Sequence, residues 1–174
     1  MRLNREFFNR STLVVARELI GKYLVRNING ELVAGQILET EAYHGHDDRA
    51  SHAWRGRTPR TEVMFGPPGH AYVYLIYGMY HCMNISTGPE GFPAAVLIRS
   101  LDLPGANGPG RLCRLLNIDR TLVGTDVIDG EELWIEDRGL VVPKSKIERT
   151  PRIGIDYAGP YKDKPWRFVL ESGE

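Results

Sequence analysis

Hydrophobic and polar positions fall into short segments along the chain, each closed by glycine, proline or asparagine. Ser11 stands where an N-cap belongs, ahead of a helix expected to run to Ile20 with Gly21 just past its end. Two strands are predicted next, over residues 22–28 and 31–43. They are joined by Asn29-Gly30, the strongest short hairpin signal. Residues 44–68 turn polar and read as a loop punctuated by Gly45, Gly56, Pro59, Gly66, Pro67 and Pro68. Residues 71–77 and 80–86 read as a second hairpin turning at Gly78-Met79, and residues 94–100 as a further apolar strand. Gly108-Pro109-Gly110 opens a helix over residues 111–116, with Pro109 suited to a first helical position. Short strands are predicted at 132–136 and 152–155, and residues 166–170 close the sheet. Strands outnumber helices and hairpins connect them, so the expected fold is α+β and mainly antiparallel.

A length of 174 residues suits one domain, 1–174, with a single core. No stretch is apolar enough to span a bilayer, and the polar first ten residues do not read as a secretory signal. Cys82 and Cys113 have neither disulfide nor zinc spacing and are expected as buried thiols of a reducing compartment. The formal charge is zero, from 22 basic and 22 acidic residues, so any anionic partner must meet a local basic face. Residues 49–61 offer one: Arg49, Arg55, Arg57 and Arg60 occur there without an acid. Only five of the basic residues are lysine, and arginine is the side chain best shaped for phosphate.

Three clusters could carry chemistry. Glu39, Glu41 and Tyr43 alternate along one predicted strand and so share a face, with Thr40 and Ala42 on the other. Tyr72, Tyr74, Tyr77 and Tyr80 crowd the second hairpin. Tyr72 and Tyr74 share a strand face; a core suits Tyr72 better than Tyr77, which, beside the turn, suits a wedge or stacking platform. His44, His46, Asp47, Asp48 and His52 match no metal-site template, so no metal is expected. Lys22, Lys144, Lys146, Lys162 and Lys164 all lie outside these clusters, which argues against an amine nucleophile.

Glu39-Thr40-Glu41-Ala42-Tyr43 is followed by His52, by Arg57-Thr58-Pro59-Arg60 and by Met64-Phe65. The long tyrosine-rich run from Ala71 to Ser86, then Arg99 and the Gly108-Pro109 helix start, complete the pattern. In these motifs, over nearly its whole length, the chain resembles the alkyladenine (3-methyladenine, or methylpurine) DNA glycosylase family. The resemblance implies one compact domain with a curved sheet, flanking helices and a protruding β-hairpin. It implies hydrolysis of the N-glycosidic bond of alkylated or deaminated purines, flipped from duplex DNA, without a lyase step. By position, Glu41 matches the residue that activates water, and Arg99 one near that water and the backbone. Tyr43, His52 and Tyr74 match the base-pocket walls, Asn84 the residue that disfavours the guanine amine, and Tyr77 the intercalating side chain. Arg57, Arg60 and Gly108 are expected at the DNA backbone. No cofactor, metal or membrane is implied. The expected enzyme is a monomer of the cytoplasm or nucleoid, or of the nucleus in a eukaryote.

Two other readings remain open at this level. Glu39 and Glu41, about 7 Å apart along a strand, could pair as in a sugar glycosidase. The tyrosine hairpin and the arginines could serve a nucleic-acid binding module without catalysis.

Overall fold

The structure, a computed structural model, describes residues 1–172, which form eight strands, four short α-helices and several 3-10 turns. Helices α1 (Arg5–Phe8) and α2 (Thr12–Leu19) lead into β1 (Tyr23–Ile28) and β2 (Glu31–His44). A 3-10 turn (His52–Arg55) and α3 (Glu62–Phe65) precede β3 (Ala71–Ile76), β4 (Tyr80–Ser86), β5 (Ala94–Leu101) and α4 (Pro109–Leu115). Strands β6 (Leu133–Glu136), β7 (Ile147–Thr150) and β8 (Arg167–Leu170) complete the curved antiparallel sheet, whose main order is β3-β4-β5-β2-β1-β6.

Strand β2 is the spine. Its first half pairs with β1. From Ile37 onward it pairs with β5 along one edge, and Glu39, Thr40 and Glu41 pair with β8 along the other. Two irregularities interrupt the β2–β5 ladder, leaving Leu38 on β2 and Arg99 on β5 as the extra residues. Such bulges re-aim side chains.

The alternation expected around Glu41 holds. Thr40 and Ala42 face the main core, where they meet Val96, Ile98 and Ile85 of the sheet and Val15, Ala16 and Leu19 of α2. Thr40 donates from its hydroxyl to the Ala16 carbonyl at 2.7 Å, which ties β2 to α2. Burial of Phe8 and Phe168 in this core contributes roughly 1.5–3 kcal/mol each. The opposite face carries a smaller apolar cluster of Tyr72, Tyr74, Cys82, Ala95 and Leu97, covered by Met64 and Phe65 of α3. Both cysteines are free and buried, as expected.

Several expected elements differ. Residues 152–155 form no strand: Arg152 is drawn inside, and Gly154 at φ +75° leaves the extended region. The strand of that region is β7, which lies upstream at Ile147–Thr150 and pairs with β8. The hairpin turns one residue early, at Tyr77-Gly78, where the Ile76 carbonyl accepts from the Met79 amide at 3.0 Å. Helix α4 begins at Pro109 itself, and the segment expected as loop contains the 3-10 turn and α3. Ser11 occupies the N-cap of α2 but makes no side-chain cap bond.

Candidate active site

Strand register brings the site together. Residues directly opposite one another across a ladder share a face. Tyr72 opposes Asn84, Asn84 opposes Leu97, Leu97 opposes Glu41, and Glu41 opposes Arg167. A single row across five strands therefore carries an aromatic, an amide, an aliphatic, a carboxylate and a guanidinium on the face away from the main core.

Glu41 is completely buried. Its Oε1 accepts from the Tyr43 hydroxyl at 3.0 Å and from Arg99 at 3.3 Å, and its Oε2 accepts from the Ile153 amide at 2.7 Å. A carboxylate has about four acceptor positions. These three donors fill all but one, which remains on Oε2. Arg99 also donates from Nε to Glu39 Oε1 at 3.0 Å, and Arg167 donates to the same oxygen. The two carboxylates therefore differ: Glu39 is bound by two arginines, while Glu41 is held by one arginine, a phenol and a backbone amide. Burial, then the neighbouring Glu41 charge, pushes the Tyr43 hydroxyl well above its usual range, so it remains a proton donor in that bond.

Next to Glu41, and joined to it through Tyr43, lies a narrow recess of about 10 Å³, lined by Tyr43, His52, Met64, Tyr72, Tyr74 and Asn84 together with Ala50 and Ser51. His52 packs edge-on against Tyr74 with ring centroids 4.3 Å apart, and its Nδ1 lies 3.0 Å from the Tyr72 hydroxyl. Burial, then the Arg60 charge, lowers its pKa to about 4, so the ring is neutral at physiological pH. Asn84 is buried and donates to the Tyr72 carbonyl at 3.3 Å. Burial also raises the Tyr74 hydroxyl.

The loop after β2 is fixed by Asp48, which accepts from the His44 and Ala50 amides at 2.9 and 3.1 Å. Its carboxylate also takes both terminal nitrogens of Arg152 at 2.6 and 2.9 Å, in a wholly buried pair. His44 turns instead to the Thr12 hydroxyl at 3.1 Å. Among the described residues, no three His, Cys, Asp or Glu side chains are grouped as a metal ion needs.

Tyr77 stands at the hairpin tip, 89% exposed, and with Met79 and Tyr80 makes an apolar crest. Its φ of +53° is a left-handed conformation uncommon for an aromatic residue. Tyr77, Tyr80, Arg99, Gly108 and Ile153 line one groove between the hairpin and the start of α4. A second groove, lined by Arg49, Arg55, Arg60, Trp54 and Tyr157, shares Ser51 and His52 with the recess. The structure thus brings Glu41, Arg99, Tyr43, His52, Tyr74 and Asn84 together, with Tyr77, Gly108 and Arg60 on adjoining surfaces. Arg57 is turned away, bidentate to Glu62 at 2.7 and 2.6 Å. The acid that meets it comes just after the acid-free stretch.

Tyr72 lies in the smaller apolar cluster, as a core reading expects, and also lines the recess. Sequence reading missed two contributors. The Ile153 amide and the Arg152–Asp48 pair reach the site from more than a hundred residues away, and no local pattern marks them.

The family model described as Methylpurine-DNA glycosylase matches residues 6–106 and 102–174. A protein of Anaeromyxobacter dehalogenans strain 2CP-C is 53% identical over 175 residues, covering 98% of this chain and 84% of its own. One of Methanocella arvoryzae is 50% identical over 184 residues, covering 95% and 90%. One of Clostridium perfringens strain 13 is 43% identical over 200 residues, covering 100% and 98%. All three are provisionally named 3-methyladenine DNA glycosylases. With matches of this extent and identity, the chain belongs to the methylpurine-DNA glycosylase family.

Proposed function

We propose that this enzyme flips alkylated or deaminated purines of the 3-methyladenine, 7-methylguanine, hypoxanthine and ethenoadenine class from duplex DNA. It then hydrolyses the N-glycosidic bond with a water activated by Glu41, and has no lyase step. The observation that carries this reading is a buried carboxylate with one open acceptor position, beside a recess walled by Tyr43, His52, Tyr74 and Asn84. A flipped base enters as the walls of the narrow recess part around it, and aromatic rings hold an electron-poor purine by stacking and cation–π attraction. Glu41 takes a proton from the water, whose oxygen bonds to the anomeric carbon. The base departs with the electron pair of the broken C–N bond: a cationic purine leaves as the neutral base, and a neutral purine gains a proton. The carboxylate also stabilises the developing positive charge on the sugar.

Arg99 holds the catalytic carboxylate in place and lines the groove where the sugar–phosphate backbone would lie. Tyr77 fills the gap left by the extruded nucleotide. Arg60, in the groove beside the recess, and Gly108, in the groove at the start of α4, contact the backbone. Arg57 does so only after exchanging Glu62 for a phosphate. Among the described residues no lysine lines the recess or either groove, which supports water over a covalent imine. The sugar-glycosidase reading loses support because Glu39 is occupied by Arg99 and Arg167.

The test is a duplex bearing one hypoxanthine or ethenoadenine, incubated with the protein as a monomer in EDTA and then treated with alkali. Free base and an alkali-labile site are expected. Tight retention of the duplex with no base released would make the protein a binding module instead.

A further inference from the structure

The Arg152 guanidinium is an interior cation, wholly shielded from solvent. It lies over two aromatic rings, 4.8 Å from the centroid of Tyr43 and 5.0 Å from that of Trp166. Its terminal nitrogens reach Asp48, and one also donates to the Ala42 carbonyl at 2.9 Å, while Nε has no partner among the described residues. Tyr43 lines the recess and Arg152 does not, so the tyrosine ring stands between the cation and the base site. The ring cannot slide away, because its hydroxyl is tied to Glu41. The base wall is therefore a π-face whose other side is already occupied by positive charge.

Resting on the glycosylase reading above, we infer that Arg152 sets lesion specificity: with its guanidinium behind Tyr43, it biases the recess toward neutral damaged purines over cationic ones. A cation on one face of an aromatic ring draws on the same negative quadrupole that a second cation would use. The two positive charges also repel across the ring. Asp48 offsets this repulsion from the far edge of the guanidinium, so the pair together determines the bias. The other charges facing the ring are Glu41 and, through it, Arg99. A neutral base such as hypoxanthine experiences little of this. At an effective dielectric near 20 the net effect on a cationic base is roughly threefold to tenfold, after the Asp48 offset.

The experiment measures single-turnover release of 7-methylguanine, which is cationic, and of hypoxanthine, which is neutral, from duplexes of the same flanking sequence. The readout is the ratio of the two rates. Arg152→Met keeps length and packing but removes the charge and leaves Asp48 unopposed, so it raises the ratio in favour of the cationic base by more than the net roughly threefold to tenfold, which is the rise expected of the double variant below. Asp48→Asn removes the offset and lowers the ratio. Breaking one side of a buried pair is costly, so the double variant Arg152→Met/Asp48→Asn, with neither buried charge, is the decisive one if a single variant does not fold. Its ratio lies above that of the unmodified enzyme and below that of Arg152→Met. Equal loss on both lesions, with the ratio unchanged in a folded double variant, would reduce Arg152 to a structural clamp. An unmodified enzyme that releases neither base overturns the glycosylase reading and this inference with it.

Discussion

Two glutamates of one strand face, identical in chemistry, are separated in role by their partners. Glu41→Gln places an amide where three donors converge, so one of them is left facing an NH2 group. The expected loss is about 1–3 kcal/mol of stability and roughly 10²–10⁴-fold in base release, with lesion-DNA binding retained. Glu39→Gln should be much milder, because Arg99 can then centre on Glu41. Equal single-turnover losses in the two variants would restore the paired-carboxylate reading. His52 gives a pH prediction. Its pKa falls from the ordinary 6.5 to about 4 on folding, so between these values the unfolded chain binds the proton first. Its contribution to stability is full above about pH 6.5 and is lost as pH falls toward 4. An imidazole NMR titration of His52 with its midpoint near the ordinary value would contradict this.

At the scale of elements, the hairpin of β3 and β4 serves two ends. Its base supplies Tyr72, Tyr74 and Asn84 to the recess, and its tip holds Tyr77 in solvent. Gly78, at φ +65°, adopts the left-handed turn without a side-chain penalty, whereas Tyr77 at +53° bears one of roughly 1–2 kcal/mol. An exposed apolar residue kept at such a cost is a candidate for function. Tyr77→Ala should leave the melting temperature nearly unchanged, since no cavity forms. Excision from duplex DNA should fall sharply, and excision of the same lesion from a bulge, where unstacking is cheaper, should fall less. A large drop in melting temperature with equal loss on both substrates would mark Tyr77 as a packing residue. The β5 bulge at Arg99 works in the opposite direction, inward, placing one guanidinium on both carboxylates.

Across the whole molecule, zero net charge conceals a local arrangement. Arg49, Arg55 and Arg60 share a groove beside the recess, while Arg57 is neutralised by Glu62. Affinity for lesion duplex should therefore fall steeply with salt. Arg60→Ala should flatten the slope of log affinity against log salt by about 0.9, and Arg57→Ala by less. An unchanged slope for Arg60→Ala would move the backbone path elsewhere on the surface. Among the described residues no ligand cluster stands near Glu41, so activity should survive EDTA. Loss on chelation with recovery on adding zinc or magnesium would point to a metal bound in the complex.

The sequence alone determined what depends on short-range periodicity. Strand alternation placed Glu41 and Tyr43 on one face and Thr40 and Ala42 on the other, and the glycine-marked hairpin carried its tyrosines in order. The α+β antiparallel class followed from the same patterns, because period, turn residues and caps are local properties of the chain. Tertiary structure decided what depends on register and on distant partners. Whether residues 152–155 extend as a strand was settled by Asp48, which draws Arg152 inward across the fold. Whether Arg57 is free was settled by how α3 presents Glu62. The difference between Glu39 and Glu41 arises from Arg167, Arg99 and the Ile153 amide. A buried charge takes its character from what the fold packs around it, and that environment is assembled from segments more than a hundred residues apart.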